Sequence, residues 1–187
     1  EKELKEFLEK ADIPAASTLL GLSAMSTDFR LNKGFLGMHG NVAPNMKTNE
    51  CDVLIAIGMR FDDRVTGDLN TYARQAKIIH LDIDQSEIGK NVAVDAPVLG
   101  SVLDSLPALT KKLKPANHTA WIESFGEHEE RENESVIRKE LYKSEGEITM
   151  GEVIHRVTEA TGNKAIVVTD VGQNQMMSAH YFKCSQT

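Results

Sequence analysis

Apolar and polar positions along this 187-residue chain change their period several times. Leu4, Phe7 and Leu8 recur at helical spacing among charged residues, which predicts the end of a helix over residues 1–11. "IPAASTLLG" (13–21) reads as a short strand closed by its glycine. "DVLIAIG" (52–58) and "AKIIHLDID" (76–84) are Ile-, Leu- and Val-rich runs, as expected of parallel strands covered on both faces. "VAPNMKTNE" (42–50) and "SVLDSLPALTKKL" (101–113) predict helices, the second with Ser101 as N-cap. Strands and helices alternating at this rhythm predict an α/β fold, a parallel sheet flanked by helices.

After Pro115 the pattern changes. "HEERENESVIRKELYKSEG" (128–146) is dense in charge and poor in apolar positions, which predicts a connecting segment with one or two exposed helices. "ITMGEVIHRVTEATG" (148–162) then predicts a helix with Val153, Ile154 and Val157 on one face. "NKAIVVTDVG" (163–172) predicts a buried strand, and "QNQMMSAHYF" (173–182) the next helix. These look like the first elements of a second α/β domain, so the expected division is 1–114, 115–147 and 148–187.

The formal charge of −7 argues against binding a nucleic-acid backbone, which needs a basic face. Lys111, Lys112 and Lys114 form the one lysine cluster, and it falls at a helix end, where it complements the helix dipole. Cys51 and Cys184 match neither a disulfide framework nor a zinc spacing, and no metal ligand is expected in this chain. The opening "EKELKEFLEKADIP" lacks the apolar centre of a signal peptide, and no run approaches the roughly 18 apolar residues of a membrane helix. Asn117-His118-Thr119 and Asn133-Glu134-Ser135 read as chance glycosylation matches. A cytoplasmic location is expected.

Ligands of open parallel sheets bind beyond the carboxyl ends of the strands. Gly34, Gly37 and Gly40 allow close backbone approach and open into a helix that could present N–H groups to a phosphate. "MRFDDR" (59–64) follows the second clear strand with guanidinium and carboxylate groups, and Asp82 and Asp84 end the third. A dinucleotide across these ends fits all three. A blander reading fits too: turn glycines, a self-satisfied cluster of Arg60, Asp62, Asp63 and Arg64, and packing histidines at 39 and 80.

"LGMHG", "RFDDRVTG" and "IIHLDIDQSEIGKN", in that order, resemble the central domain of the acetohydroxyacid (acetolactate) synthase family. "TDVGQNQMMSAHYF" resembles the opening of the same family's diphosphate-binding domain. The resemblance implies a Rossmann-like domain and the decarboxylating condensation of two 2-ketoacids, with thiamine diphosphate, Mg2+ and FAD. It implies a homo-oligomer and a regulatory small subunit as partner. For FAD it assigns Thr18, Leu19, Leu36, Gly37, Met38, His39, Gly58, Met59, Arg60, Phe61, Asp62, Asp82, Ile83, Ser101 and Val102. Asp63 and Arg64 fall where family members face the active site, the arginine orienting the second ketoacid's carboxylate. Gly172, Gln173 and Asn174 fall at the thiamine diphosphate.

Ser101 stands where many relatives carry aspartate, so a hydroxyl or backbone N–H must serve there. Asn174 replaces a frequent histidine and can donate a hydrogen bond but not as a cation. The family's glutamate domain, its GDG…Asn metal motif and the first strand of its central domain have no match; "TGDLN" (66–70) lacks the spacing. The chain therefore reads as a piece of a longer polypeptide, with no catalytic residue of its own and no acetolactate formation alone. The competing reading is a stand-alone nucleotide-binding or interaction module.

Overall fold

The computed structural model describes residues 1–142 and 146–185. The end of the charged connecting segment and the last two residues of the expected second domain lie outside the described residues. Helix α1 (Lys2–Ala11) leads into β1 (Ala15–Ser17), a 3-10 turn (Leu19–Ala24) and β2 (Asn32–Phe35). Then come α2 (Val42–Thr48), β3 (Val53–Ile57), the short α3 (Asp63–Thr66), β4 (Lys77–Asp82), β5 (Ala96–Leu99) and α4 (Val102–Lys112). All strand pairing is parallel: β1 with β2, and β3-β4-β5 in that order. This is the α/β architecture of parallel sheets flanked by helices.

β4 shows why the order holds. Ile79 and Leu81 point to one face, where Phe7 and Leu8 of α1, Leu106 of α4 and Ile55 and Ile57 of β3 pack. Ile78 and His80 point to the other, against Phe61 and Tyr72. β4 lies between two neighbours, whereas β3 pairs on one edge alone, and Val53 is exposed rather than covered. The expected strand 13–21 is only three residues long, because Thr18 turns the chain into the 3-10 segment.

The connecting segment departs from expectation. It forms α5 (Thr119–Glu123), α6 (Gly126–Glu132), a π turn (Asn133–Ile137) and α7 (Arg138–Leu141), yet Ile122, Phe125 and Glu132 are buried. Two lysines dock it. Lys33 of β2 lies 5.4 Å from the Phe125 ring and 2.9 Å from Glu129, and Lys47 of α2 lies 5.3 Å from the Trp121 ring. Asp12, at the end of α1, accepts from Arg30 at 2.8 Å and from the His118 N–H at 2.7 Å.

Those hydrogen bonds hold the Asp12 carboxyl below its ordinary value. A lowered folded-state value adds stability that is complete above the unfolded value and lost as pH falls through the folded one. Asp12→Asn should therefore shrink the drop in melting temperature between about pH 5 and pH 3. An unchanged pH profile would place the acid sensitivity elsewhere.

Helices α8 (Met150–Ala160) and α9 (Gln173–Tyr181) complete the fold. The strand expected over 163–172 does not form. Residues 164–170 run without a paired strand, and Ile166 and Val168 are 93% and 89% exposed. No strand among the described residues pairs with them, and apolar content alone cannot make a strand without a ladder partner. For the same reason Val153 and Val157 of α8 remain exposed. The start of the expected second α/β domain is thus a helix pair, docked where the Thr27 N–H donates to the Cys184 carbonyl and the Cys184 N–H to Thr27 Oγ1. No helix among the described residues is long and apolar enough to cross a membrane.

Candidate functional site

The carboxyl ends of the strands bring the predicted loops together. The glycine loop after β2 sits directly on α3: the Met38 N–H donates to the Arg64 carbonyl at 2.7 Å. A Cβ on Gly37, whose φ is +121°, would come within 2.8 Å of that same oxygen. Asn45 clamps Gly37 from both sides, taking its N–H at 3.1 Å and donating to its carbonyl at 2.9 Å. Asn41 takes the Phe35 N–H and gives its own N–H to the Phe35 carbonyl.

This closure changes the chemistry the loop offers. The N–H groups of Gly37, Met38, Gly40, Asn41 and Val42 all donate inside the protein, so the loop is not an open phosphate nest. It presents the exposed side chains of Met38 and His39 instead, with Leu36 buried beneath.

The turn after β3 is held from below. Phe61 adopts a left-handed φ of +52°, an uncommon conformation for a bulky side chain. Its ring meets His80 and Tyr72 edge-on at 5.1 and 6.2 Å, and Asn91 donates to its carbonyl at 3.0 Å. Burial pushes the Tyr72 phenol up, so it stays protonated. With Phe61 anchored, Arg60 is thrown outward. The charge cluster is not self-satisfied. Arg60 lies 3.7 Å from Asp62, but among the described residues no carboxylate lies within ion-pair distance of the Arg64 guanidinium, which meets Met38 Sδ at 4.0 Å. Asp62 caps α3 by accepting from the Arg64 N–H, and Asp63 is exposed.

Asp82 ends β4 almost buried. One oxygen accepts from the Asp84 N–H at 2.8 Å, and the other lies 3.8 Å from Nε2 of the fully buried His80. Both His80 ring nitrogens lack a partner. Ser101 caps α4 through the Leu103 N–H at 3.2 Å, as its spacing predicts, and its hydroxyl proton is left for another acceptor. Thr18 and Leu19 follow β1, half-buried. Met59 is half-buried and Gly58 exposed, with open space around its missing Cβ.

Exposed apolar side chains recur at the carboxyl ends of both sheets: Leu20 after β1, Met38 after β2, Ile83 after β4, Leu99 at the end of β5 and Leu103 in the first turn of α4. Sequence reasoning passed over Asn41 and Asn45, which shape the glycine loop without a motif to mark them, and gave no role to Asn91, the last residue of the "IIHLDIDQSEIGKN" string. Gly172, Gln173 and Asn174 are exposed at the opening of α9, with Gly172 at φ +133°. Among the described residues no group of three His, Cys, Asp or Glu side chains could hold a metal.

Residues 1–109 match the family described as thiamine pyrophosphate enzyme, central domain. The chain belongs to this family. As a thiamine pyrophosphate enzyme central domain it is 40% identical to a probable acetolactate synthase large subunit of Methanocaldococcus jannaschii, over 97% of this chain and 32% of the relative. It is 38% identical to a chloroplastic acetolactate synthase of Nicotiana tabacum, over 97% of this chain and 27% of that protein. A large subunit from Parasynechococcus marenigrum is 38% identical over 96% of this chain and 29% of its own length. The chain thus spans about a third of the curated relatives it matches. The likeness runs past the central domain into the helix pair α8–α9.

Proposed function

We propose that this chain is a segment of an acetolactate synthase large subunit and that its strand-end loops hold FAD. The observation that carries the reading is the set of exposed apolar side chains at the carboxyl ends of the parallel strands of both sheets, with the exposed Arg60 guanidinium after β3 and the Asp82 carboxylate at the end of β4. An extended dinucleotide has that chemistry: apolar rings, anionic phosphates and ribose hydroxyls. Identity of 38–40% to acetolactate synthases over nearly the whole chain supports it.

In this reading Thr18, Leu19, Leu36, Gly37, Met38 and His39 contact the flavin from β1 and β2. Gly58, Met59, Arg60, Phe61 and Asp62 contact it from β3, and Asp82, Ile83, Ser101 and Val102 from β4 and β5. Asp63 and Arg64 face the ketoacid, and no carboxylate among the described residues lies within ion-pair distance of the Arg64 guanidinium. Gly172, Gln173 and Asn174 meet the thiamine diphosphate, which supplies the carbanion chemistry of condensation when bound. Mg2+ is assigned to no residue here. The division at 114 and 147, a homo-oligomer, a small regulatory subunit and a cytoplasmic location belong to the same proposal.

Flavin-fluorescence titration tests it. Arg60→Ala removes a charged hydrogen bond and should weaken FAD by roughly 10- to 100-fold. Its one ion pair, with Asp62, is exposed, so the fold should be spared. Gly37→Val should abolish binding, because the side chain would meet the Arg64 carbonyl. Equal affinities in all three proteins would remove FAD from these strand-end loops.

A further inference from the structure

Glu132 ends α6, inside the segment expected to be a solvated connection, yet its side chain is only 8% exposed. A buried carboxylate is costly unless several donors meet it. Here they come from two different parts of the chain. Oε2 accepts the Val42 N–H at 3.0 Å, both oxygens lie 3.4 Å from Asn41 Nδ2, and Oε1 lies 3.6 Å from His180 Nε2.

Each donor leads to a candidate cofactor loop. Asn41 closes the glycine loop through both Phe35 backbone groups, and Gly40 just before it is packed against the Phe35 carbonyl. His180 lies on α9, the helix that opens at Gly172, and its Nδ1 is buried without a partner. Nε2 toward Glu132 is therefore the side of the ring that fixes it.

We propose that Glu132 is a positioning residue that ties the glycine loop to helix α9, so that one buried carboxylate sets both candidate cofactor loops. What those loops bind rests on the function proposed above; the tie itself needs no ligand. Burial lowers the His180 imidazole below its ordinary value while Glu132 opposes this.

Amide hydrogen exchange on the 187-residue chain tests the tie without any cofactor. Glu132→Leu keeps the volume but removes both acceptors, and should speed exchange about tenfold or more at amides 37–42 and 174–181, with β4 unchanged. Glu132→Gln keeps an oxygen for the Val42 N–H and should restore amides 37–42 to within about threefold of the parent. The decisive variant is His180→Ala, which should loosen the glycine loop although His180 touches none of its atoms.

If His180→Ala loosens α9 alone, Glu132 serves the two sides separately and the proposal fails. Equal acceleration everywhere, β4 included, also overturns it, because Glu132 would then support the fold at large. Flavin titration of the same variants reads the ligand separately. Loosening of amides 37–42 by His180→Ala in a chain that binds no flavin would support the tie and remove the ligand assignment.

Discussion

Gly40→Ala should destabilise this protein by about 3 kcal/mol, at the upper end of overpacking costs. The added Cβ would lie 2.2 Å from the Phe35 carbonyl oxygen and under 3 Å from two further backbone carbons. Backbone cannot rotate away as a side chain can, so the loop must open. Opening breaks the bond from the Asn41 N–H to the Phe35 carbonyl and loosens the Asn41 side chain that Glu132 supports. For a chain of this size the melting temperature should fall by roughly 6–12 °C. Gly126→Ala is the control, with nothing within 4 Å of its added Cβ at the start of α6, and should be neutral or slightly stabilising. A Gly40→Ala melting temperature equal to the control's would show that the loop does not close as described.

Arg64→Ala in the full-length enzyme should lower kcat/KM for the second ketoacid by about two orders of magnitude, while FAD and thermal stability are retained. The structure does not show the bland alternative for this residue, a surface pair with Asp63, since no carboxylate among the described residues is within ion-pair distance of the guanidinium. Its backbone carbonyl, not its side chain, supports the glycine loop, so alanine leaves that contact in place. A planar fork can hold both oxygens of a carboxylate, and Arg64→Lys should recover only part of the loss. Steady-state kinetics with the second ketoacid varied would show it. Release of FAD with unchanged turnover in excess FAD would move Arg64 into the flavin site.

The parts of the fold legible in the sequence are those whose physics is local. β3 and β4 announce themselves as apolar runs, and Ser101 as a cap three residues before a helical period becomes visible. β2 and β5 do not: "NKGF" and "APVL" are short and carry lysine or proline, and parallel partners alone make them strands. The segment 163–172 errs the other way. Its apolar run suits a strand, but pairing is non-local, and no described strand meets it.

The site divides similarly. The residues proposed to face the ligand stand in recognisable strings, so their placement at the carboxyl ends of the strands could be expected. The supports beneath them could not. His80 could be read as a packing histidine but not assigned its partner Phe61, and Tyr72 under that ring, Asn91 across its carbonyl and Glu132 behind Asn41 are placed by tertiary packing between residues apart in the chain. Helices are expected in the charged connecting segment, but charge density conceals their docking, because the few apolar residues there, Ile122 in α5 and Phe125 between α5 and α6, are buried.

FAD-induced protection from hydrogen exchange in the full-length enzyme tests the central claim most directly. The account predicts protection at Met38–His39, Arg60–Asp62, Asp82–Ile83 and Ser101–Val102 together, lost in Gly37→Val. Protection confined to other segments, or none at these four while flavin is demonstrably bound, would contradict it.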